Sequence, residues 1–220
     1  MTNPQNAAPL VLTPSERVLL FGDRFARPAG MLGHGEVVLS SGTKVGADDL
    51  AKAVIAAAYL ACEQAGAIRF EERQGKAMFG LMKTNALHVV PGERAGMRWP
   101  GGSLESWIVE GAQQQPKVNE FTQRLLCASQ EYSPSQEMFG RLKQVLAERG
   151  VLHADTKTTL KVFTSVSYIL PDFARAAAEQ GGTQHVQVML DGTRQQRPRL
   201  WTDLIAAIER AINWMTASGE

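Results

Sequence analysis

The chain has few cysteines, no surplus of either charge and no apolar run long enough to cross a bilayer. Its 220 residues include two cysteines, Cys62 and Cys127. They lie far apart, each inside a stretch with helical periodicity, so neither a disulfide framework nor a paired-cysteine zinc site is expected. The formal net charge is +1, from 23 lysines and arginines against 22 aspartates and glutamates. That balance supplies no long-range field for nucleic acid or an anionic membrane, and either partner has to be met by a local basic patch. The longest apolar run covers ten residues, Ala53 to Cys62, whereas about 20 are needed to span a bilayer. Residues 1–10 are polar and proline-bearing, without the basic-then-apolar order of a signal peptide, and read as a disordered leader before a single domain over residues 11–220. The expected location is cytoplasmic, at most peripheral to a membrane.

Catalytic signatures are also missing. There is no nucleophile elbow, P-loop, HExxH or metal-type cysteine spacing. Gly33-His34-Gly35 comes nearest to a phosphate loop, but it lacks a third glycine and a preceding strand. His34, His88, His153 and His185 are each isolated in sequence, and the adjacent pairs Asp48-Asp49 and Glu71-Glu72 have no neighbour to split their pKa values. The expectation is a non-enzymatic chain without cofactor or metal.

What is present is an architecture. The run Ala53 to Cys62 has almost no polar face, so its helix must be buried on all sides; Asp48 and Asp49 stand before it as N-cap candidates and Gly66 follows as its stop. After Gly66 the period changes to that of strands, with Arg73 to Lys76 reading as the turn of a hairpin that ends at Val90. Thr13-Pro14-Ser15-Glu16 is a capping box opening a first helix. Asp23 to Gly46 is a glycine-rich loop with a strand-like run at Glu36 to Leu39. Further helices are predicted from Ser103, from Pro116, and from Ser135 to Arg149. Gly150 stops the last of these, and Val151 to His153, a turn at Asp155 to Thr158 and a return over Leu160 to Tyr168 form a second hairpin. The unit of helix, glycine and hairpin thus occurs twice, in a winged-helix-like manner. A short helix from Asp172 to Gln180, an alternating strand from His185 to Leu190 turning at Asp191-Gly192, and a final helix capped by Thr202 complete the reading. The fold class expected is mostly α with short β-hairpins around a buried central helix.

Two segments place arginine beside tryptophan: Arg94, Arg98 and Trp99 between Pro91 and Gly102, and Arg194, Arg197 and Arg199 with Trp201. Both read as loops able to meet phosphate or an anionic surface. Packing of each tryptophan back onto the domain is the plainer use. A nucleic-acid regulator is the alternative suggested by the repeated unit, but its recognition helix would need a basic face. The helix before Gly66 carries only Lys52 against Glu63, and the helix before Gly150 is balanced, so this alternative is disfavoured.

The order of these pieces resembles the Golgi phosphoprotein 3 family, prokaryotic members included. Leu12-Thr13-Pro14-Ser15-Glu16-Arg17-Val18-Leu19-Leu20 is similar to the family's opening, and Gly66-Ala67-Ile68-Arg69-Phe70 to the end of its central helix. Ser103 to Ile108 and Phe121 to Leu126 look like its next helices, and Arg141 to Leu152 like its arginine-leucine helix, glycine and hairpin. The resemblance implies a mostly helical adaptor without catalytic activity, peripheral to membranes, binding phosphatidylinositol 4-phosphate and protein tails. It also implies self-association through a hairpin, here Val151, Leu152, Leu160, Val162 and Phe163. The family's lipid pocket needs a tryptophan and several arginines, yet Gln136, Phe139 and Ile55 stand at arginine positions and Lys44 to Gly46 holds no aromatic. The expected partners are therefore a protein tail, an anionic surface met by the two arginine-tryptophan segments, or a second copy of the chain.

Overall fold

The computed structural model describes residues 11–29, 35–77, 82–126, 134–159, 163–180 and 182–217. In chain order they form α1 (Pro14–Leu20), a 3-10 turn (Gly22–Arg24), β1 (Glu36–Val38), β2 (Lys44–Gly46), α2 (Ala47–Gln64), β3 (Ile68–Ala77), β4 (Met82–Pro91), α3 (Leu104–Ala112), α4 (Val118–Leu126) and α5 (Pro134–Glu148). Then follow β5 (His153–Thr159), β6 (Phe163–Ile169), α6 (Asp172–Gln180), α7 (Thr183–Gln196) and α8 (Pro198–Ala217). The strands pair only as antiparallel ribbons, β1 with β2, β3 with β4 and β5 with β6, so the fold is mostly helical with short hairpins. Among the described residues no helix is long and apolar enough to cross a membrane. The leader, residues 1–10, lies outside the described residues, as do Cys127 and His34.

Helix α2 is the centre. Residues Val54 to Leu60 have 0% exposure, and α1, α3, α5, α7, α8 and β3 all pack against it. Alanines at 51, 56, 57, 58 and 61 keep the helix thin, which lets neighbouring backbones come close on every side. In its buried middle, Tyr59 is fully enclosed, and its hydroxyl shares a hydrogen bond with Thr122 Oγ1 at 3.2 Å. Burial on this scale also encloses the starts of α1 and α3, whose amides then need acceptors. The capping box predicted at Thr13 supplies one set: Glu16 takes the Thr13 amide at 2.9 Å, and its other oxygen takes Arg149. The second set was not legible in sequence. Glu105, with 0% exposure, accepts from the Ser15 amide at 2.9 Å and the Ser15 hydroxyl at 2.8 Å, so a carboxylate in the first turn of α3 caps α1.

Both predicted glycine stops are present: Gly66 and Gly150 have φ of +73° and +74° and end α2 and α5. At the first, the exit of the hairpin lies directly on the helix end, because the Gly92 amide donates to Ala67 at 2.9 Å and a Cβ at Gly92 would stand 2.2 Å from the Gly66 carbonyl oxygen. Several expectations are corrected. Arg73 to Lys76 and Asp155 to Thr158 are paired strand, not turns; a two-stranded ribbon has room for polar residues where no second layer covers it. His185 to Leu190 is not a strand and Asp191-Gly192 is not its turn, since both lie in α7, where Val186, Met189, Leu190 and Thr193 are buried at helical spacing. Six residues were too few to separate the two periods. Asp48 and Asp49 sit in the first turn of α2 behind an N-cap at Gly46, and α8 begins at Pro198, so Thr202 caps nothing and instead donates back to the Pro198 carbonyl.

Burial, the largest effect, pushes the Glu105 carboxyl above the ordinary range against the pull of the Ser15 donors. A folded pKa above the unfolded value of about 4.3 makes the contribution of Glu105 complete below that pH and progressively lost as pH rises through the folded value. Glu105→Gln is therefore expected to gain stability relative to wild type as urea unfolding is repeated from pH 4 to pH 7. Glu105→Leu, which strands two buried donors, is expected to lose about 3 kcal/mol at any pH in that range.

Candidate functional site

The second arginine-tryptophan segment is not a loop but the corner between α7 and α8. Arg194 lies in the last turn of α7, Arg197 is its C-cap, and Arg199 and Trp201 open α8. The corner is tied down by carboxylates. Arg197 holds Glu63 with two bonds of 2.8 and 2.7 Å, and the Glu63 hydrogen bond raises the guanidinium further above its ordinary range. Arg199 bonds Glu72 and approaches Asp203 at 3.9 Å. Arg194 lies 4.8 Å above the ring of Trp201, with Asp191 at 3.8 Å. Beneath Trp201 a cleft of about 290 Å³ is lined by Arg27, Asp49 and Lys52. There the Arg27 hydrogen bond holds Asp49 below the usual carboxylate range, and Lys52 also reaches Glu209 at 3.2 Å.

The first segment is different. Arg94 and Arg98 are exposed, with no ion pair among the described residues, and Trp99 is half-buried against the core. The Trp99 indole nitrogen is buried without a hydrogen-bond partner among the described residues. The Arg94 amide donates to Gly66 at 2.8 Å and its stem lies against Gly66. The two segments thus reach the same end of α2, one at Gly66 and one at Glu63, where cations meet the negative end of the helix.

In the second hairpin, Val151 and Leu152 are 1% and 5% exposed and precede β5, so they are core residues and not an oligomer surface. Both donate their amides to Leu146 in closing the turn after Gly150. Leu160 and Val162 lie outside the described residues, and Phe163 opens β6. The apolar surface falls elsewhere: Val166 and Ile169 on β6 are each 49% exposed, and Phe173 on α6 is 66% exposed.

Ile55 and Phe139, which the resemblance sets against lipid-binding arginines, are buried, and Gln136 is exposed with its amide directed to the Glu36 carbonyl. The exposed residues of α5 are Gln136, Gly140, Gln144 and Glu148, none of them basic. Among the described residues no cluster of histidine, cysteine and carboxylate side chains has the arrangement to hold a metal ion. His88 Nδ1 meets the Gln115 carbonyl at 3.0 Å. Burial raises the Cys62 thiol, which donates to the Glu105 carbonyl at 3.6 Å.

Sequence reasoning passed over Trp107, Arg124 and Arg141, which α3, α4 and α5 bring to one cleft of about 370 Å³. No local motif joins them. The hint available was Arg141, a cation on the largely apolar inner side of its helix.

A double-mutant cycle on Glu63→Gln and Arg197→Gln is expected to give a coupling of about 1 kcal/mol, the upper end for a partly exposed pair because the contact is bidentate, and to shrink in high salt. Urea unfolding of the four proteins measures it. Comparison of the chain with protein-family models, with curated proteins and with solved structures finds no significant match in any of the three.

Proposed function

We propose that the chain is a non-enzymatic binding protein with the organisation of the Golgi phosphoprotein 3 family, acting as a self-associated adaptor for protein partners and not as a phosphoinositide reader. One observation carries this reading: the β5–β6 ribbon and the start of α6 hold Val166, Ile169 and Phe173 in solvent. They lie beside a β6 edge with no partner strand among the described residues. An open edge flanked by exposed β-branched and aromatic side chains favours pairing with another chain. Antiparallel pairing of β6 with β6 of a second copy satisfies both edges at once and is twofold by construction.

The bonding of the cations supports the same choice. Arg194, Arg197 and Arg199 are engaged with Asp191, Glu63 and Glu72, which leaves Arg94 and Arg98 to meet an anionic surface. At about 1 kcal/mol per cation near a charged membrane, two arginines give only weak attachment. Ile55, Phe139 and Gln136 also remove the charge-assisted bonds that a phosphoinositide headgroup requires.

Light scattering over a range of concentrations is expected to give a dimer that Val166→Lys with Ile169→Lys converts to a monomer with unchanged circular dichroism; a wild-type monomer at all concentrations overturns self-association. Sedimentation at low salt with phosphatidylserine vesicles, with and without phosphatidylinositol 4-phosphate, is expected to leave the protein in the supernatant. Pelleting that depends on the phosphoinositide overturns the choice of partner.

A further inference from the structure

We infer that the cleft between α3, α4 and α5 is a binding site for a small organic monoanion, a carboxylate carried on an apolar or aromatic body. Its volume, about 370 Å³, lies within the range of roughly 300–1,000 Å³ typical of small-molecule sites. Two arginines line it, Arg124 from α4 and Arg141 from α5. Arg141 donates to the Leu125 carbonyl at 2.7 Å and lies 5.8 Å from the centre of the Trp107 ring, while its Nε is buried with no hydrogen-bond partner among the described residues. Arg124 is exposed and donates to Gln114 Oε1 at 3.0 Å. Neither has a carboxylate within ion-pair distance among the described residues, whereas Arg149, Arg197 and Arg199 do. A cation drawn into a cleft without a counter-charge is costly, and an anion placed between the two forks removes that cost with directed, charge-assisted bonds.

The walls decide what else the ligand carries. Trp107 is half-buried on one side. Phe121 lies on the other, seated against α3 because residue 111 is glycine: a Cβ there would stand 2.2 Å from the tip of the Phe121 ring. These surfaces suit an apolar or aromatic body. The lining also includes Glu110, which forms no ion pair among the described residues. Its charge repels a second negative charge on the ligand, which favours a carboxylate over a phosphate dianion. The Trp201 cleft is a weaker candidate, since its cations already hold Asp49, Asp191 and Glu209.

The test is calorimetric titration of the full chain with 3-phenylpropanoate, and with inorganic phosphate and 3-phenylpropylamine for comparison. Saturable binding of 3-phenylpropanoate at millimolar concentrations or tighter is expected, with little heat from the other two. Arg124→Gln, which alters an exposed side chain, is expected to weaken binding about tenfold, the loss of one charge-assisted bond. Trp107 indole NMR signals should move on titration, a readout that survives if an Arg141 variant fails to fold. No saturable binding, equal binding of phosphate or of the amine, or an Arg124→Gln protein that binds like wild type overturns the assignment. The site shares no residue with the β6 edge, so the measurement can be repeated on the Val166→Lys, Ile169→Lys protein, and failure of one proposal leaves the other intact.

Discussion

The carboxylate of Glu105 links two helix starts that the burial of α2 would otherwise leave unsatisfied. An apolar helix enclosed by five others imposes a condition on its neighbours: α1 and α3 must begin inside the protein, where water cannot reach their first amides. Glu16 meets that condition locally through the capping box, and Glu105 meets it across the chain by accepting from Ser15. Arg149, at the end of α5, completes the group by bonding Glu16 and the Val11 carbonyl. The result is a polar knot that joins α1, α3 and α5 on one side of an almost wholly apolar helix. Removing one member exposes the others to an unpaired state, which is why such groups tend to be kept or lost together.

Around this centre, charge is used mainly as mortar. The corner between α7 and α8 carries three arginines that in sequence read as a basic surface; in the fold they tie α8 to the end of α2 and to β3 through Glu63 and Glu72. Surface chemistry is left to elements that the core does not consume. These are the β5–β6 ribbon with its apolar side chains, the loop of residues 92–102, whose Arg94 and Arg98 form no ion pair among the described residues, and the cleft lined by Arg124 and Arg141. Each lies at an outer boundary of the helical body, and none requires α2 to move.

The sequence was most informative where local rules act without competition. The ten-residue apolar run, the Thr13 capping box, the helix start near Ser103 and the stops at Gly66 and Gly150 follow from hydrophobic period and backbone geometry alone, and each is found in place. It misled where polarity had two causes. Arg73 to Lys76 and Asp155 to Thr158 are polar and lie in paired strand, and a short polar window of a two-stranded ribbon reads like a turn. His185 to Leu190 reads as an alternating run over six residues, but burial at 186, 189, 190 and 193 is helical. The site was less legible than the fold. Whether an arginine is free or spoken for depends on carboxylates far away in the chain, as Arg197 with Glu63 demonstrates, and no spacing rule connects Trp107 to Arg141.

The contact of Gly92 with Gly66 has a consequence for tracing this chain's ancestry. Elsewhere in the core one aliphatic residue can replace another with modest repacking, so the hydrophobic pattern endures while residue identities drift. At Gly92 there is no such latitude, because a single methyl group would meet the Gly66 carbonyl oxygen, and at Gly66 the backbone itself demands glycine. Two glycines at this spacing, flanking a hairpin and preceded by an alanine-rich helix, form a fingerprint that should outlast the similarity of everything between them.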